Sequence, residues 1–425
     1  MQNSLRKTVA PGVRLTILPT DKFKTSVMSA CLLLPLGGAH AAEHAALTRV
    51  LRRGTAQYPD MQSLGGALDA LYGARVEPSI RKRGETLAIG FISDVIDETY
   101  AMNGAGLTAR AAELLISFWK QPFLMGGVFS PDYVAGEREN LADRIEALKN
   151  DTRAYAVRRL YELMCADETF GQSELGTVEG AHAISPQTLY KVYAGALEGA
   201  CVELFYCGAM APAAVEEAFS RAWGARAQGE FRTPGTRVIA RPAADPRTVV
   251  EEMDVRQGKL SLGFRTGITG ADEAYPALML FNTAFGGSTS SKLFLNVRER
   301  LSLCYYASSS LEKHKGVLAV TSGIENESYE AARQEILRQM QGIQHGGLSD
   351  DEVEAARRTV LNALQAMQDS PAQLEDFWLG QSVAGLEWSP DDLAARIRAV
   401  TRDEIIAAAS QVRLDTVYFL KGVGK

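Results

Sequence analysis

Three short segments from the first half of this 425-residue chain recur, in the same order, in its second half. Ser130-Pro-Asp-Tyr-Val-Ala-Gly-Glu-Arg-Glu lies over Ser349-Asp-Asp-Glu-Val-Glu-Ala-Ala-Arg-Arg at an offset of 219 residues. Arg81-Lys-Arg-Gly-Glu-Thr-Leu-Ala-Ile lies over Lys313-His-Lys-Gly-Val-Leu-Ala-Val, with Gly84 over Gly316 at an offset of 232. Val202-Glu-Leu-Phe-Tyr-Cys-Gly208 lies over Thr416-Val-Tyr-Phe-Leu-Lys-Gly422 at an offset of 214. Self-similarity at half the chain length restricts the fold to two lobes of one design, with modest insertions between the matched segments. The joint falls in Arg241-Pro-Ala-Ala-Asp-Pro-Arg247, a linker-like composition, so the expected lobes are residues 1–240 and 248–425.

Each half reads as α+β. Runs rich in Val, Leu and aromatics predict strands over 13–18, 26–34, 86–92, 202–206, 249–255, 261–264, 317–321 and 416–420. Helical periodicity covers 41–53, 131–150, 186–194, 212–223, 275–285, 329–343 and 350–366. Ser349 with Glu352, and Thr401 with Glu404, have capping-box spacing, and Pro186 and Pro212 stand where a first-turn proline is tolerated. Strands paired with amphipathic helices suggest, in each lobe, a sheet covered by helices on one face.

Composition narrows the function classes. Apolar residues make up 46% of the chain, enough for two real cores, and a net charge of −6 argues against nucleic acid as a partner. No apolar run is long enough to span a membrane. Five scattered cysteines without a CxxC pair fit reduced thiols and a cytoplasmic location better than a disulfide framework. Lys22 and Lys24 followed by the apolar run Val27–Leu36 imitate a secretion signal, but the run begins after a strand, so a buried strand is the reading adopted.

The string His40-Ala-Ala-Glu43-His44 has the chemistry of a zinc peptidase. On a helix, positions i and i+4 share a face, so two imidazoles could grip one zinc while Glu43 polarises a bound water. H-x-x-E-H is the inverzincin signature, and it still needs a helical context and a third ligand. Phe285-Gly-Gly-Ser-Thr-Ser-Ser291 lacks the Gly-Lys-Ser/Thr of a phosphate loop and reads as a turn before a helix. Arg49, Arg52 and Arg53 with Arg81, Lys82 and Arg83 form two basic clusters, read as a solvated face, with an acidic docking partner as the sharper alternative.

Gly54-Thr55 after a helix, the duplicated half and Arg298-Glu-Arg-Leu-Ser-Leu-Cys-Tyr305 together resemble the insulinase/pitrilysin family, over essentially the whole chain. The likeness is greatest to bacterial peptidase-like proteins associated with 5-aminopentanol modification of elongation factor P. It implies two homologous lobes, each a largely antiparallel sheet covered by helices, as in mitochondrial processing peptidases. Register then counts against the literal motif. Family members place the second His five residues before that Gly, which puts the pattern on Ala45, Thr48 and Arg49. Five residues turn the side chains by about 500°, roughly 140° off the original face, and shift them about 7.5 Å along the helix. The family's third ligand, seven residues after the Glu of a Glu-Arg pair, falls on Arg144, and a guanidinium cannot ligate zinc. Glu137, matching a carboxylate behind the ligands, is the one position kept.

In the second half Arg298 and Tyr305 match the family's Arg–Tyr pair, which holds the substrate backbone and supplies a donor to the oxyanion formed on the scissile carbonyl. The expected function is therefore a metallopeptidase-like subunit that binds no metal or other cofactor itself. It would supply Arg298 and Tyr305 as catalytic residues to a zinc-bearing paralogue in a heterodimer that cleaves peptides. Two alternatives stay open: a self-sufficient zinc endopeptidase using His40, Glu43 and His44, and a non-catalytic peptide-binding or scaffold protein.

Overall fold

The computed structural model describes residues 4–102, 106–242 and 244–423; Ala243, in the expected linker, lies outside them. The chain divides into two compact units, and each draws on both halves of the sequence. Unit one comprises Met1–Glu146, Ser173–Gly235 and Ser370–Val383; unit two comprises Ala147–Gln172, Thr236–Asp369 and Ala384–Lys425.

Unit one is built on a six-stranded sheet of β1 (Leu5–Ala10), β2 (Val13–Pro19), β3 (Thr25–Pro35), β4 (Arg75–Arg83), β5 (Thr86–Ile96) and, beyond a two-residue hairpin of β6 (Leu124–Met125) and β7 (Val128–Phe129), β8 (Cys201–Gly208). Its order is β1-β2-β8-β3-β5-β4. Unit two has β9 (Arg247–Met253), β10 (Gly258–Arg265), β11 (Tyr306–Glu312), β12 (Val317–Ile324) and β13 (Arg413–Gly422), in the order β11-β12-β10-β13-β9. In each sheet one parallel pair, β2 with β8 and β9 with β13, is followed by antiparallel neighbours only. The path β2-β8-β3-β5-β4 thus has the same sequence of pairings as β9-β13-β10-β12-β11. The three matched sequence segments fall at corresponding places. They open the helices α4 (Pro131–Ala147) and α11 (Asp350–Met367), form the hairpin turns at Gly84 and Gly316 (φ 59° and 69°), and lie on β8 and β13.

The remaining helices are α1 (Ala41–Leu51), α2 (Met61–Ala70), α3 (Leu107–Lys120), α5 (Thr152–Met164), α6 (Val178–His182), α7 (Pro186–Gly199), α8 (Pro212–Trp223), α9 (Tyr275–Phe285), α10 (Tyr329–Gln344), α12 (Pro371–Ala384), α13 (Pro390–Ala399) and α14 (Arg402–Ala409). The sheets are covered on two faces, not on one as the helix pattern suggests. On β5, Phe91 packs against Phe118 and Trp119 of α3, while Ala88, pointing the other way, joins Cys31 and Leu33 against Leu379 of α12. On β13, Phe419 meets Tyr329 of α10, while Tyr418 and Leu420 join Ala156 and Leu160 of α5. A second cover makes β3 a continuous buried run, which is why residues 27–36 imitate a secretion signal.

The covering helix of each sheet comes from the other half of the sequence: α12 serves unit one and α5 serves unit two. Ionic contacts seat both. Glu375 of α12 is 1% exposed and receives Arg81 at 2.5 and 2.9 Å and the Ser29 hydroxyl at 2.8 Å. Glu251 of β9 accepts from Tyr155 of α5 at 2.7 Å, Tyr418 at 3.0 Å and Arg159 at 3.2 Å. Gly263 of β10 lets α5 approach, since a Cβ there would stand 2.5 Å from the Met164 sulfur and 3.2 Å from Leu160.

Elements that the pattern reading leaves out have physical reasons. α12 buries Leu374 and Glu375 and every residue from Phe377 to Ser382, so no polar stripe marks it as amphipathic. β4 is Arg- and Lys-rich and contains Pro78, tolerated because β4 is an edge strand. The basic clusters are not a solvated face. Arg52 donates to the Val76 carbonyl at 2.7 Å, Arg53 to Glu137 at 2.7 Å, Arg81 to Glu375, and Arg83 pairs with Asp376. Among the described residues no helix is long and apolar enough to cross a membrane.

Candidate functional site

The two motif histidines do not share a helical face. His40 closes a short 3₁₀ turn, Gly38–His40, and caps α1 from outside; His44 lies within α1. Their rings stand 6.4 Å apart at 63°, and His40 Nδ1 is 3.6 Å from a Glu43 oxygen. His44 is largely buried, and its Nδ1 has no hydrogen-bond partner. Burial, with the neighbouring His40 as a smaller contribution, lowers its pKa to about 4, so it is a neutral imidazole at physiological pH.

The positions to which the family register points hold an alanine, a threonine and an arginine. Ala45 and Thr48 are both 2% exposed on the inner side of α1, and Arg49 follows in the last turn. Two residues past the end of α1, Arg53 donates to Glu137 of α4 at 2.7 Å, which ties this end of α1 to α4. Seven residues after Glu137, on the same face of α4, stands Arg144. Burial first, and then the like charge of Arg49, hold the Arg144 guanidinium below its usual pKa, against the pull of Glu137 and Glu174. Its Nη1 is buried without a hydrogen-bond partner. A pair of guanidiniums offers no lone pair to a metal and repels one, so the donor set at this position does not fit zinc. Among the described residues no three His, Cys, Asp or Glu side chains are placed to hold a metal ion.

In unit two, Arg298 lies near the end of a π-helical segment, Leu293–Arg300, an uncommon geometry that concentrates at functional positions. Lys292 ties its start to Glu352 of α11 at 2.6 Å, and Asn296 donates to Gln339 of α10 at 3.1 Å. The Arg298 guanidinium lies over the Phe294 ring at 4.6 Å and within 3.4 Å of Glu299, so it is braced yet still partly exposed. Tyr305 precedes β11; its amide donates to the Gly323 carbonyl at 2.9 Å, and its side chain is 62% exposed. The phenol donates to Glu325 at 2.7 Å, and accepting that proton is what raises the Tyr305 pKa. Glu325 is the residue here that sequence reasoning missed, because a partner twenty positions away has no spacing signal. The turn after α9 serves internal packing: the Ser309 amide of β11 donates to the Gly286 carbonyl at 3.0 Å, so this glycine faces the chain's own strand.

Comparison with known proteins agrees with this architecture. Residues 183–360 match the model of the peptidase M16 inactive domain. A Bacillus subtilis (strain 168) protein named "Probable inactive metalloprotease YmfF" is 35% identical over 415 residues, covering 97% of this chain and 96% of the relative. The crystal structure of a conserved protein from Enterococcus faecalis V583 superposes with a TM-score of 0.89 at 26% identity, over the whole of both chains. A peptidase M16 inactive-domain structure from Pseudomonas fluorescens shares the fold, with a TM-score of 0.80 at 16% identity over 99% of this chain and 98% of its own. With 35% identity sustained across nearly its whole length, the chain belongs to the M16, insulinase/pitrilysin-type, peptidase family.

Proposed function

We propose that this chain is the metal-free member of a heteromeric M16 peptidase, inactive alone, which supplies Arg298 and Tyr305 to a zinc-bearing paralogue acting on peptides. The observation that carries the reading is the replacement of metal donors by Arg49 and Arg144, two positive charges where a dication would have to bind. The name of the Bacillus subtilis relative, an inactive metalloprotease, points the same way. Support for the Arg–Tyr half comes from its setting. The guanidinium is held by a ring and a helix, and the phenol stays protonated and solvent-facing, able to exchange Glu325 for a developing oxyanion. A link to elongation factor P modification and a cytoplasmic location rest on the resemblance and on the thiol chemistry alone.

The self-sufficient zinc reading requires both histidines on one metal, whereas His40 lies outside the helix that carries His44. The two readings separate by zinc content. Elemental mass spectrometry of the tag-free chain should show no zinc above background, unchanged in a His40→Ala/His44→Ala double variant. Close to one zinc per chain, lost in that variant, would overturn the proposal. Reconstituted with a zinc-bearing paralogue, Tyr305→Phe should slow peptide cleavage about tenfold or more while assembly is kept, the scale of a lost oxyanion donor. Unchanged turnover would make Tyr305 a structural residue.

A further inference from the structure

A guanidinium pair without carboxylate partners is an unfavourable arrangement, because the Arg144 charge is partly desolvated and Arg49 repels it. Elsewhere in the same unit, arginines that leave water meet acids: Arg14 with Glu203, Arg53 with Glu137 and Arg81 with Glu375. Arg52 and Arg226 donate to backbone carbonyls instead, whereas among the described residues Arg49 and Arg144 have neither kind of partner. Arg53, bonded to Glu137, sets the register of α1 against α4. Arg49 stands in the last turn of α1 and Arg53 two residues past its end, while Glu137 and Arg144 are seven apart on α4, and Arg49 lies near enough to Arg144 for their like charges to oppose each other. Among the described residues neither Arg49 nor Arg144 has a carboxylate at ion-pair distance, and Arg144 Nη1 is buried with nothing to donate to.

We propose that Arg49 and Arg144 form a carboxylate-binding site, in which the two oxygens of a peptide's acidic group bridge the two guanidinium groups. The planar forks of two arginines suit a carboxylate, and charge-assisted hydrogen bonds of this kind are the strong ones. The acid is either the C-terminal carboxylate of the peptide or an Asp or Glu side chain. The site belongs to unit one alone and needs no partner chain, so it stands or falls separately from the heteromeric reading.

The test is isothermal titration calorimetry at low salt on the full chain, with N-acetylated Gly/Ala hexapeptides in three forms. One has a free C-terminal carboxylate, one is C-terminally amidated, and one is amidated with a single internal Glu. At least one acidic form should bind at least tenfold more tightly than the neutral amide. Arg49→Gln and Arg144→Gln should each weaken that binding tenfold or more, with melting temperatures no lower than that of the parent chain. Binding by the free-terminus form assigns the site to chain ends, and binding by the Glu form assigns it to side chains. Equal binding of acidic and neutral peptides, binding that survives both substitutions, or no acidic form bound at millimolar concentration would overturn the proposal. Inorganic phosphate binding more tightly than the acidic peptides would overturn it too.

Discussion

His44 shows how a motif residue can be recruited to packing. As a buried imidazole with a pKa near 4, it remains neutral in the folded chain while the unfolded chain takes up a proton near pH 6.5. Between those two values the unfolded state binds more protons, so this residue's stabilising contribution is complete above about pH 6.5 and is lost as the pH falls towards 4. The melting temperature of the parent chain should therefore drop more steeply from pH 7 to pH 4.5 than that of His44→Leu. Parallel curves for the two proteins would show that the imidazole does not titrate on unfolding. At the same scale, Arg144 and Tyr305 differ in what each lacks. The guanidinium has a buried nitrogen without an acceptor, while the phenol has a partner, Glu325, that it must leave before it can donate to anything else.

At the level of elements, α12 depends on a buried ion pair that its own sequence does not advertise. Glu375 is 1% exposed, and removing it leaves Arg81 desolvated against Cys31 with only the part-exposed Asp376 nearby. Glu375→Ala should cost about 3–5 kcal/mol of stability, the usual price of orphaning a buried charge, measured as a shift in the chemical denaturation midpoint. A double change, Arg81→Met with Glu375→Leu, should recover most of that loss, since a well-packed apolar pair often matches a buried ion pair. A double variant as unstable as the single one would place the contribution of Glu375 in its bond with Ser29 instead.

For the whole molecule, the exchange of α5 and α12 sets the limit on what can fold alone. A fragment of residues 1–240 contains the sheet of unit one but not α12, so Cys31, Leu33 and Ala88 lose their cover and Arg81 loses its acid. A fragment of residues 248–425 lacks β9's first residue and all of α5, exposing Ala319, Tyr418 and Leu420. Each fragment expressed separately should be aggregated or molten, with retained far-ultraviolet and lost near-ultraviolet circular dichroism, and co-expression should restore a soluble complex. Two fragments that melt cooperatively by themselves would show that the exchanged helices are dispensable covers.

Much of this protein was legible without coordinates because the signals are local. The hydroxyl caps at Ser349 and Thr401, the period of helices such as 212–223 and 275–285, and the β-rich runs along 13–18 and 317–321 depend on neighbours a few residues away. Counting from Gly54 likewise puts Arg49 at a position where the family resemblance implies a zinc ligand. Tertiary structure alone decided which sheet each helix serves, that Arg52, Arg53, Arg81 and Arg83 are spent on internal partners, and that Arg49 and Arg144 are not. The physical reason is that desolvation and ion pairing act through space. Glu375 meets Arg81 across 294 residues of chain, and no local pattern records such a contact.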